Sequence, residues 1–124
     1  MTGYSVSIAW SSRELSAKER IQLKDTTSAL KLDEVTQTES ITIAPMLYAE
    51  LDIHNEMSDN KEYKNYIVVD ADGRKYVTGS ASFWTSFMDI AREMENEDED
   101  WSIEVYRMPS KNYKGKEFIT CTIK

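Results

Sequence analysis

A single cysteine, a single histidine, two prolines and four glycines in 124 residues withhold the material of several common chemistries. Cys121 has no second cysteine to pair with, so no internal disulfide can form and a reducing, cytoplasmic setting is expected. Cys121 and His54 together cannot complete a structural zinc site. Neither Gly-x-x-x-x-Gly-Lys-[Ser/Thr] nor Gly-x-Gly-x-x-Gly occurs, which removes the glycine-rich loops that cradle phosphates. No apolar run approaches the roughly 18 residues that cross a bilayer, so no membrane partner is expected. The opening Met-Thr-Gly-Tyr-Ser-Val-Ser has neither a basic nor an apolar stretch, so no secretory signal is expected. His54 falls on the polar side of a predicted strand and reads as solvated or structural. Cys121 falls on an apolar strand side and reads as a buried, inert thiol. With no nucleophile–base pair and no metal cluster visible, the expectation is a non-enzyme without cofactor or metal.

What is present suits one globular unit. At 40% hydrophobic and 30% charged residues, the chain can build a core and remain hydrated. Its length predicts a single domain over residues 1–124. Tyr4 to Trp10 alternates apolar and small residues, the pattern of a half-buried strand. Ser16-Ala17-Lys18-Glu19 matches a capping box and predicts a short helix to about Lys24. Asp25 to Ser28 is turn-rich; Ala29 to Val35 and Ile41 to Ile43 are strand-like. Leu47, Ala49, Leu51 and Ile53 alternate with Tyr48, Glu50, Asp52 and His54. Glu56 to Lys64 is a polar loop. Tyr66 to Val69 and Lys75 to Thr78 flank Asp70-Ala71-Asp72-Gly73, a hairpin signal. Ser80 and Ser82 are candidate N-caps of a helix of about twelve residues whose Phe83, Phe87, Ile90 and Met94 form one stripe, widened by Trp84, Met88 and Ala91. Ser102 to Arg107 and Glu117 to Ile123 read as two closing strands.

From Pro45 onward the order is strand, two hairpin strands, helix, two strands. That predicts an all-β protein with one or two helices. Its form is a five-stranded barrel of the oligonucleotide/oligosaccharide-binding (OB) type over residues 41–124, with residues 1–40 as an N-terminal strand and helix extension. Ferredoxin-like and Rossmann units need more crossover helices.

The net charge of −7 opposes nucleic-acid binding at first sight, but its distribution matters more. Glu93, Glu95, Glu97, Asp98, Glu99 and Asp100 carry six of those charges, and without them the rest of the chain stands at −1. From Trp101 onward Arg107, Lys111, Lys114, Lys116 and Lys124 face only Glu104 and Glu117, a local +3. Phosphate binding needs only such a local concentration of cations. The acidic run lacks the spacing that wraps calcium and reads as solvated.

Sequence-tolerant binding of single strands needs aromatic faces for stacking and cations along the backbone path. Tyr48, Tyr106 and Phe118 lie opposite the apolar positions of their strands, and Tyr66 and Tyr76 join them if the hairpin buries Ile67, Val69 and Val77. Five outward rings on one small sheet would expose an apolar patch that calls for a covering ligand. Lys64, Arg74, Lys75, Arg107, Lys111, Lys114 and Lys116 cluster on the same hairpins and the last loop, with Tyr113 among them. These thirteen side chains are the candidate nucleic-acid contacts; Trp84 and Trp101 are assigned to the core. The reading requires the rings to face water rather than sit inside beneath a carboxylate-lined sheet.

Val69-Asp70-Ala71-Asp72-Gly73-Arg74-Lys75-Tyr76, the helix Phe83 to Met94, and Ser110-Lys111-Asn112-Tyr113-Lys114-Gly115-Lys116-Glu117-Phe118-Ile119 carry a family resemblance in order and spacing. From about Thr27 to its end the chain resembles the small single-stranded DNA-binding proteins of bacteriophages of Gram-positive bacteria, particularly those of protein-primed replication. The resemblance implies an early phage protein that coats exposed strands in the host cytoplasm during DNA replication or recombination, alongside replication proteins. Acidic overall charge is usual in that group. The resemblance transfers no DNA-contact residue by position, and the N-terminal helix and the acidic run depart from it. The charge leaves a second reading open, an acidic protein–protein module or DNA mimic that inhibits a host defence enzyme.

Overall fold

The computed structural model describes residues 3–110 and 115–124. Eight strands and three helices follow in the order β1 (Tyr4–Ser11), α1 (Ala17–Lys24), β2 (Leu30–Lys31), α2 (Leu32–Val35), β3 (Ile41–Ile43), β4 (Pro45–Asn55), β5 (Glu62–Asp70), β6 (Lys75–Thr78), α3 (Ala81–Met94), β7 (Ile103–Pro109) and β8 (Glu117–Ile123). The strands form two sheets, β1-β4-β5-β6-β2 and β3-β7-β8. Only Ala44 separates β3 from β4, so one stretch of backbone runs through both sheets.

Local chemistry accounts for the elements. The Ser16 side chain accepts the Glu19 amide while Glu19 reaches back to the Ser16 amide, closing the capping box of α1. At the other end of α1 the Lys75 ammonium donates to the carbonyls of Gln22 and Asp25, at 2.6 and 2.5 Å, the neutralisation that a helix C-terminus favours. The β5–β6 turn closes through the Gly73 amide on the Asp70 carbonyl and the Asp70 amide on the Arg74 carbonyl, with Gly73 at φ +92°. That left-handed conformation is easy only for glycine. The Ser80 hydroxyl caps α3 by accepting the Phe83 amide at 3.1 Å.

The apolar residues divide into two cores, one on each face of the larger sheet. Leu47, Ala49, Leu51, Ile53, Ile67 and Val77 turn to one side and are covered by Leu15 and by Leu23 of α1. On the other side α3 brings Phe83, Phe87 and Ala91 against Val68 and Tyr76, and the β3-β7-β8 sheet adds Ile43, Ile103, Val105, Ile119 and Cys121. The all-β expectation therefore stands, with three helices rather than two. Closure into a five-stranded barrel does not occur among the described residues, because the outer edge of β8 meets α3 instead of another strand. Ser82 donates to the Ile119 carbonyl on that edge, and the hydroxyls of Ser86 and Thr120 lie 2.9 Å apart. The strand-like stretch 29–35 splits into a two-residue strand and one helical turn, with Leu32 fully buried and the Thr36 hydroxyl returned to the Leu32 carbonyl.

Candidate nucleic-acid interface

Alternation along β4, β5 and β6 puts Tyr48, Tyr66 and Tyr76 on one face, as expected, but α3 covers that face where the three rings lie. Tyr66 and Tyr76 are 8% and 5% exposed. The Tyr66 ring stacks on Trp84 at 4.8 Å, and Tyr48 meets Phe87 edge-on at the same distance. Burial raises the pKa of both Tyr48 and Tyr66. These three rings are not available to bases. The physical reason is the wide aromatic stripe of α3, which must be covered; tyrosines opposite an aliphatic row here mark a second core rather than a wet face.

Where α3 leaves this face open, carboxylates line it. Lys64 is held by Glu50 at 3.0 Å and Asp52 at 2.5 Å, which raises its pKa. Next along the strands, His54 sits between Glu62 on Nδ1 and Glu56 on Nε2, 2.7 Å away; these two hydrogen bonds raise its pKa, Glu62 contributing more. Lys61 adds a bond to Glu56 at 3.2 Å. Lys64 is thus part of a charge network within the sheet and offers no free cation to a phosphate.

The other candidate cations are also dispersed. Lys75 points to the face opposite Tyr76, onto α1. Arg107 donates to the Asp33 carbonyl and, at 3.3 Å, to the Thr36 hydroxyl, tying β7 to α2. Arg74 is exposed, with Asp72 at 3.8 Å. Lys111, Tyr113 and Lys114 lie outside the described residues. Lys116 is exposed, next to the start of β8.

Tyr106 and Phe118 form a separate group. They lie on the smaller sheet, on the side away from Val105 and Cys121, with Met108 directly across from Phe118 and Tyr106 across from Thr120. Tyr106 and Phe118 are half-buried, and Met108 is 41% exposed. Two aromatics and a methionine thus face outward at the end of the β7–β8 ladder that adjoins Lys116. Glu104 and Glu117 are the nearest acids along these strands, and Glu104 is bonded to Ser40 at 2.7 Å.

Other chemistry is sparse. Burial pushes the Cys121 thiol up to about 12, which leaves it protonated and inert at neutral pH. No group of three or more metal-ligating side chains occurs among the described residues. The six carboxylates between residues 93 and 100 are exposed and make no ion pair among the described residues. The sequence pattern did not reveal that Trp10 would extend the ring cluster, 6.0 Å from Tyr48 and 6.4 Å from Trp84. Its only signal was an aromatic at the end of an alternating strand. No helix is long and apolar enough to cross a membrane among the described residues. Comparison of the chain with protein-family models, with curated proteins and with solved structures finds no match.

Proposed function

We propose that this chain is a non-enzymatic, sequence-tolerant single-stranded DNA-binding protein that engages the strand at the β7–β8 hairpin, since the larger sheet has its tyrosines inside and carboxylates on its open part and so fails the requirement of water-facing rings. The observation that carries the reading is the outward group Tyr106, Met108 and Phe118 beside Lys116. Rings stack on any base, and cations at their margin hold the backbone. The sequence joining the two strands adds Lys111, Tyr113 and Lys114.

The chain path supports the same reading. From β3 onward a strand shared by two sheets is followed by β5, β6, a helix, β7 and β8. That is the order of an OB fold, left open between β6 and β8. In such folds the loop between the last two strands borders the ligand, and here that loop joins β7 to β8. α1 covers the aliphatic face of β5 and β6 through Leu23, and the open part of their other face carries carboxylates, which leaves the hairpin as the accessible aromatic part. The resemblance to phage single-strand binders sets the proposed role in DNA replication or recombination.

The test is a gel shift comparing single-stranded DNA, duplex DNA and RNA at two salt concentrations. Preference for the single strand, weakened by salt, is expected; no shift at low salt overturns the proposal.

A second reading is favoured by a different observation. Six exposed carboxylates at the end of α3 and just beyond it, in no ion pair among the described residues, with Glu50, Asp52, Glu56 and Glu62 on the face that α3 crosses, suit a basic protein partner. Capture of a host protein that survives nuclease treatment, together with no oligonucleotide binding, would select that acidic module.

A further inference from the structure

Edges of sheets present unpaired amides and carbonyls, and proteins usually protect them with short strands, charges, proline or a covering element. Three of the four edges in this fold are protected in that way. β2 has two residues and β3 has three. The outer edge of β8 is bonded by Ser82 and packed by α3. β1 is different: eight residues, Tyr-Ser-Val-Ser-Ile-Ala-Trp-Ser, with no charge and no proline, whose one register shift lies between Ile8 and Trp10 and leaves Tyr4 to Ile8 in regular register.

The direction of its backbone groups follows from two bonds. The Glu56 amide donates to the Gly3 carbonyl, and the Ser12 amide donates to the Tyr48 carbonyl. Bonded and non-bonded pairs alternate in an antiparallel ladder. In the register Tyr4↔Asn55 to Ile8↔Leu51, Ser5 and Ser7 are therefore bonded to β4. The amides and carbonyls of Tyr4, Val6 and Ile8 point away from it, into the open edge.

We propose that this edge pairs with β1 of a second copy of the chain, antiparallel about a two-fold axis at Val6, to form one continuous sheet across a dimer. A C2 interface must be complementary to itself, and β1 meets that condition on both faces. Tyr4, Val6 and Ile8 share the face of the α1-covered core, so the partner's Ile8, Val6 and Tyr4 continue that apolar row. Ser5 and Ser7 meet the partner's Ser7 and Ser5 on the other face. A strand without charge sets no like charges in register, which matters in a molecule of net −7. The pairing contributes about six backbone hydrogen bonds and explains why Tyr4 is 40% exposed beside a buried row. It stands independently of the nucleic-acid reading.

The test is analytical ultracentrifugation of the full chain over a dilution series, with amide exchange followed by NMR at both ends of the series. A reversible dimer is expected, in which the Tyr4, Val6 and Ile8 amides are protected and lose protection on dilution, while those of Ser5 and Ser7 stay protected throughout. The double variant Ser5→Lys, Ser7→Lys sets like charges opposite one another across the axis while one lysine of each copy lies beside Asp52. It should weaken dimerisation about tenfold or more, whereas Met57→Lys, on an exposed loop, should leave it unchanged. A monomer at every concentration, a dimer whose Tyr4, Val6 and Ile8 amides still exchange freely, or a dimer indifferent to the serine substitutions overturns the proposal.

Discussion

His54 illustrates how a lone titratable residue acquires a role from its neighbours. Its folded pKa is raised above the 6.5 of the free imidazole, first by Glu62 and then by Glu56. The stabilisation from this clamp is therefore complete below pH 6.5 and disappears as pH rises through the folded value. Glu56 moves the opposite way, lowered from 4.5 chiefly by His54, so its share is lost in acid. The clamp is strongest between these limits. In an NMR titration the His54 ring should change protonation above pH 6.5, and Glu62→Gln should bring the midpoint down; a wild-type midpoint at or below 6.5 contradicts the clamp. Cys121 should remain unmodified by a thiol reagent in the native state and react only on unfolding. The sequence reads His54 as solvated or structural and Cys121 as buried, and the structure places His54 in a half-exposed carboxylate clamp and Cys121 in the core. The partners of His54 were not, because Glu56 and Glu62 lie on either side of a loop read only as polar. Tyr66 and Tyr76 were misread for a related reason: alternation reports that two faces differ, and does not say which one water touches.

Among elements, α3 and the β5–β6 hairpin followed directly from their caps, stripe and turn, and α3 runs slightly longer than expected, Ala81–Met94. What the helix covers could not be read from its own sequence. Phe87 is fully buried and touches Tyr48, Phe83, Trp84 and Trp101. Phe87→Ala should cost about 3–5 kcal/mol of stability by denaturant melting, and Ser80→Ala, which removes the cap, about 1 kcal/mol. A loss below about 1 kcal/mol for Phe87→Ala would mean that α3 is not the keystone of that core. The N-terminal elements were the least legible. α1 is mostly polar and buries only Leu23, so its periodicity carries little signal, yet Leu23 at 2% exposure closes the second core. Leu23→Ala should cost about 2–5 kcal/mol. An unaffected melting transition would show α1 to be dispensable.

At the scale of the whole molecule, the charges sort by location. Acids line the open part of the larger sheet and follow α3, while the outward rings and Lys116 sit on the β7–β8 hairpin. Net charge opposes an anionic ligand at long range, and local cations act at contact, so binding should weaken as salt rises in proportion to the phosphates touched. The order of elements was legible, since hairpins and a single helix leave strong local marks. Closure was not, since whether β8 meets β6 or α3 depends on hydroxyls such as Ser82 and Ser86 that look like ordinary helix residues. Trp84 lies on α3 and Trp101 packs against it, so the reporter belongs on the DNA. The most direct measurement is fluorescence anisotropy of a labelled oligo-dT titrated with wild type, Tyr106→Ala and Phe118→Ala. Saturable binding is expected, weakened by about 1–3 kcal/mol in each variant with melting unchanged within about 1 kcal/mol. Wild-type affinity retained in both variants, or no binding by the wild type at low salt, would contradict an interface built on the β7–β8 hairpin.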